Sequence, residues 1–110
     1  MAKDDYFIVA YRILAYLYGC MKAGETPDME VISFRALNIP ERYWADVLES
    51  LTEEGFLKGV RVDALLGNAV SVKAVSPKIT MAGIQFLEEN SGMAKAKAFL
   101  KELKEMVPGL

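Results

Sequence analysis

Apolar residues recur along this chain with two different rhythms. Over "YFIVAYRILAYLYGCM", Tyr6 to Met21, they fall at helical spacing, with Tyr6, Val9, Ala10, Ile13, Leu14 and Leu17 on one face. Ile8, Tyr11, Ala15 and Gly19 make a second apolar stripe on the other side, so the helix is expected to be buried all round. Asp4 or Asp5 can cap its start, and "KAGETPD" breaks it. A lone domain of this size would leave Ile8, Tyr11 and Ala15, or part of the last helix's apolar face, in water. A symmetric homodimer through those residues is therefore expected.

Helical rhythm returns twice before the pattern changes. "MEVISFRALNIP" is weakly periodic and predicts a short helix around Phe34 to Leu37. Pro40 suits the first turn of the next helix, which places Trp44, Val47, Leu48 and Leu51 on one side. Arg42, Asp46, Glu49 and Glu53 take the opposite side. Gly55 supplies a left-handed stop, with Phe56 folding back on the helix end. From Leu57 the rhythm is alternation. "FLKGVRVD" and "AVSVKAVS", separated by "ALLGN", predict a β-hairpin with Val60, Val62, Val70 and Val72 inward. Arg61, Asp63, Ser71 and Lys73 would face out. Thr80 can cap a fourth helix, "MAGIQFLEEN", and "MAKAKAFLKELKEMV" forms a last amphipathic one.

Helix, short helix, helix, hairpin and further helices make an α+β chain with the layout of a winged helix-turn-helix: a three-helix core, a two-stranded wing and additional C-terminal helices. With 110 residues, one such domain over 1–110 is expected. "LTEEGFLKGV", Leu51 to Val60, and "ITMAGIQFLEENSGMAKAKAFLKELKEMVPG", Ile79 to Gly109, carry a closer resemblance. In these stretches the chain resembles the YjcQ-like family of small proteins from Gram-positive bacteria and their phages. That resemblance implies a winged-helix fold and a phage or prophage origin, and it supplies no catalytic or binding residues. The Thr-x-x-Gly turn, Thr80 to Gly83, also resembles the turn after the wing in the PadR and MarR types of bacterial regulator.

Composition narrows the chemistry. Hydrophobic residues at 53% with 25% charged describe a compact globular chain. One cysteine and no histidine exclude an internal disulfide and leave no zinc-type ligand set. The usual general base near neutral pH is missing, as are Ser-His and Cys-His nucleophile pairs, so no catalytic residue is expected. Neither phosphate-cradling glycine pattern occurs, and no cofactor is implied. The first helix would span about 24 Å against a hydrocarbon core of roughly 30 Å, and Arg12 interrupts it, so no membrane span is expected. Cysteine usage suits a reducing cytoplasm.

Charge decides between the remaining readings. The net charge of -2 gives no global attraction to nucleic acid. Locally, Glu41 to Glu54 sets five carboxylates against Arg42, whereas Gly55 to Thr80 sets Lys58, Arg61, Lys73 and Lys78 against Asp63. An acidic helix is poorly suited to reading bases in a dense phosphate field. Any contact with double-stranded DNA is therefore expected through the wing, with Arg61 and Lys73 on phosphates and Arg42 assisting. The competing reading is a winged-helix module whose acidic helix and apolar first helix offer contact surfaces to a protein partner. Catalysis would need a metal or cofactor brought from outside.

Overall fold

The computed structural model describes residues 5–91, and the last amphipathic helix expected from the sequence lies outside the described residues. Within them the chain is mixed α+β: α1 (Tyr6–Ala23), α2 (Phe34–Leu37), α3 (Glu41–Glu53), β1 (Leu57–Ala64), β2 (Val70–Ile79) and α4 (Met81–Glu89), with 3-10 turns at Met29–Ile32 and Leu66–Asn68. The order and the two-stranded antiparallel sheet are compatible with a winged helix.

Local chemistry explains where each helix begins and ends. The Asp5 side chain accepts from the Phe7 N–H and opens α1, the Ser33 hydroxyl accepts from Ala36 N–H and opens α2, and Thr80 accepts from Gly83 N–H and opens α4. Each cap satisfies an amide that the helix cannot. Pro40 sits one place before the first residue of α3 and offers no side-chain cap. The C-terminal ends of α1, α2 and α3 share one device. Gly24, Asn38 and Gly55 all take positive φ, and the residue after each donates back across the last turn: Glu25 to Cys20, Ile39 to Phe34 and Phe56 to Leu51. Such a reversal satisfies terminal carbonyls and turns the chain sharply.

α1 runs through the centre of the molecule and packs against α3, β2 and α4. Val9, Ile13 and Leu14 from α1, Val47 and Leu48 from α3, and Leu57 and Ile79 from the hairpin root belong to one buried cluster. Each large apolar side chain so buried contributes about 1.5–3 kcal/mol. Trp44 is fixed by its indole N–H, which donates to the Ile32 carbonyl at 2.8 Å. That bond ties α3 to the 3-10 turn, which the sequence pattern did not announce.

One expectation is corrected. Ile8, Tyr11 and Ala15 do not lie in water in the single chain; they are 1%, 4% and 3% exposed. The premise for a homodimer through that stripe therefore fails, because α1 is enclosed on both sides within its own chain. Reading α1 as buried all round was right, while the other face expected to pair, that of the last helix, lies outside the described residues.

The hairpin departs from a plain ladder at its root. Leu57 pairs with Ile79 and Lys58 with Lys78, but the next pair is Val60 with Ala74. β2 thus carries additional residues opposite Gly59. Gly59 adopts φ +84°, and a Cβ there would lie 2.7 Å from the carbonyl oxygens of both Val75 and Ser76. Ser76 answers with φ +49°. Beyond this bulge regular pairing resumes to Ala64 and Val70. The sequence suggested that the second strand ends near Ser76, whereas it continues through the buried Pro77 to Ile79.

Candidate functional site

The ladder decides how the basic residues are arranged. Val60, Val62, Val72 and Ala74 pack against the core, which leaves Arg61 and its cross-strand partner Lys73 exposed. Below the bulge, Lys58 and Lys78 are likewise exposed and directly paired. Two cation pairs therefore stand opposite each other along the hairpin, an arrangement that destabilises a sheet unless something outside compensates it. Asp63 supplies part of that compensation. The Arg61 Nε donates to both of its carboxylate oxygens, at 3.2 and 3.0 Å. Both groups are solvent-accessible, so the pair fixes geometry more than it adds stability.

Arg42 lies on a different element, exposed in the first turn of α3. Its neighbour Glu41 and Lys73's neighbour Val72 line one shallow depression of about 210 Å³, together with Phe34, Arg35 and Trp44. The start of α3 and the middle of β2 thus border one depression. Asp46, Glu49 and Glu53 are exposed along the rest of α3, as expected. That helix presents an acidic face and the hairpin a basic one.

Several basic residues escaped the first selection. Lys58 and Lys78 were counted in the local charge but not as contacts, because their pairing depends on a bulge that alternation does not reveal. Arg35, on α2, lies over the Phe34 ring at 5.3 Å and borders the same depression as Glu41. Its signal was an arginine beside an aromatic in a weakly periodic segment. The hairpin tip is different again: Leu65 and Leu66 are exposed, Leu66 at 98%.

Groups with reactive potential lie elsewhere. Cys20 is a free, buried thiol on α1, pushed up by burial, with the Tyr16 hydroxyl beside it acting in the other direction. The Tyr16 hydroxyl also accepts from the Asp28 N–H at 2.8 Å. Burial pushes the Tyr16 phenol up to about 12 and raises that of Tyr11. Such groups are protonated and inert near neutral pH. Among the described residues, no three His, Cys, Asp or Glu side chains come together to hold a metal ion. Among the same residues, no helix is long and apolar enough to cross a membrane.

Residues 11–106 match the family model described as YjcQ protein. No curated protein and no solved structure matches the chain.

Proposed function

Since this chain belongs to the YjcQ family, we propose that it is a non-enzymatic regulatory protein, of the phage-derived kind its resemblance implies, that meets double-stranded DNA mainly through the hairpin. Its setting in this reading is a reducing cytoplasm, where a free thiol such as Cys20 persists. The observation that carries the reading is the pairing of Arg61 with Lys73 and of Lys58 with Lys78 on exposed positions of one ribbon. Opposed cations of that kind gain most from a polyanion laid along them. Arg42, at the start of α3, assists from the side, while the acidic remainder of α3 is held off the phosphates. Contacts of this sort carry little sequence information, because phosphates position a protein and base edges specify it.

Titration of the purified protein against random duplex DNA at two salt concentrations tests the reading. Two to four phosphate contacts would give a slope of log K against log salt of roughly -2 to -4. Arg61→Glu should weaken binding to every sequence alike and flatten that slope. Absence of any shift at low salt would remove the proposal.

A second reading, a module for a protein partner, is favoured by the acidic exposed face of α3 and by the apolar tip at Leu65 and Leu66. A reversal such as Glu49→Lys would abolish capture of that partner, whereas Arg61→Glu on the hairpin would leave capture intact.

A further inference from the structure

A cleft of about 350 Å³ opens where the end of α1 and the loop after it face the bulged root of β2. Its wall is apolar: Leu17 and Met21 from α1, Pro27 from the loop and Pro77 from β2. Met21 is among the few large apolar side chains left exposed. Two opposite charges border the same cleft, Glu25 and Lys78, each exposed and neither in an ion pair among the described residues. Thr26 and Ser76 line it as well. Ser76 sits there with φ +49°, a conformation that costs a non-glycine residue energy and that clusters at ligand sites. The volume falls at the small end of the range for small-molecule pockets, which are mainly apolar with a few placed polar groups.

We propose that this cleft binds a small zwitterion with an aliphatic body, of the class of a free aliphatic α-amino acid. Its ammonium group meets Glu25, its carboxylate meets Lys78, and its side chain lies on Leu17, Met21, Pro27 and Pro77. Glu25 and Lys78 come from different elements, the loop after α1 and the root of the hairpin, so the ligand bridges the two. The charge complement discriminates. A simple amine leaves Lys78 without a partner, and a simple carboxylate leaves Glu25 without one. The site shares Lys78 with the hairpin surface proposed to meet DNA, and its test is kept separate because it is read out on the protein alone, without nucleic acid.

Calorimetric titration of the full chain with L-leucine, isopentylamine and 4-methylpentanoate tests it, with amide shifts followed at Gly24, Thr26 and Ser76. Saturable binding of leucine is expected, with each one-charge analogue weaker by about tenfold, the value of one charge-assisted contact. Glu25→Gln and Lys78→Met, both at exposed positions and so compatible with folding, should each weaken leucine by a similar factor. Met21→Trp, which fills the cleft, should block it. No heat and no shifts with leucine up to about 10 mM, well above a millimolar Kd, would overturn the proposal. Equal binding of the three compounds, or affinity unchanged in both charge variants, would overturn it too.

Discussion

Gly83 shows how tightly single residues are constrained here. A Cβ at this position would drive into the carbonyl of Phe56 and lie 2.6 Å from Ile79 Cγ1. The close approach exists because Thr80 does two things at once. Its hydroxyl accepts from Gly83 N–H and donates to the Gly55 carbonyl, while its own N–H donates to Phe56. The Thr-x-x-Gly turn is therefore a clamp that holds the start of α4 against the end of α3. Gly83→Ala should lower the unfolding free energy by about 2 kcal/mol or more, read from the urea midpoint. Tyr16 gives a prediction in pH. Its phenol is raised from 10.0 to about 12, chiefly by burial. A raised acid contributes stability that is complete below the unfolded value and is lost as pH climbs through the folded one. Stability should hold up to about pH 10 and fall by about 2 kcal/mol toward and beyond pH 12. The decline should be shallower in Tyr16→Phe, when the urea midpoint is followed at each pH.

Among elements, α3 and the hairpin carry opposing charge, and that opposition can be tested directly. If the hairpin leads onto DNA, the carboxylates of α3 oppose its approach. Asp46→Asn combined with Glu49→Gln should then raise duplex affinity by roughly threefold at low salt and much less at high salt, measured by fluorescence anisotropy. Both substitutions fall on exposed positions and should leave folding unchanged. How legible these elements were follows from their physics. The position of α2 was readable, around Phe34 to Leu37, from the weak periodicity of its segment. The end of α3 was readable because Gly55 is the residue best able to take positive φ there. The 3-10 turn at Met29–Ile32 was not readable, since a single turn capped by Asp28 has no periodicity to detect. The extension of β2 through Pro77 was hidden for a related reason. A residue without an N–H ordinarily ends a strand, and here the pairing is interrupted at the bulge in any case.

At the scale of the whole molecule, burial of α1 changes what its surface can offer. With Ile8, Tyr11 and Ala15 enclosed, any dimer that light scattering detects at micromolar concentration is expected to form elsewhere than on that stripe. Ile8→Asp should then cost about 3 kcal/mol or more by burying an unpaired charge, without any change of mass before unfolding. A mass of twice one chain that falls to one in the variant would contradict this. The stripe could be found in the sequence, but its cover could not, because spacing shows which face is apolar and not what packs on it. The cleft beside the bulge was invisible for the same reason: Glu25 and Lys78 come to line it only through tertiary packing. The bulge itself has a larger effect than its size suggests. Leu57 and Val60 are both buried although they lie three apart, and so are Pro77 and, in part, Ala74. Uninterrupted alternation from Leu57 would have sent Val60 and Val62 outward and turned Arg61 inward. The polarity of the ribbon is thus set by Gly59, so that the residue with no side chain determines which side chains the protein shows to the world.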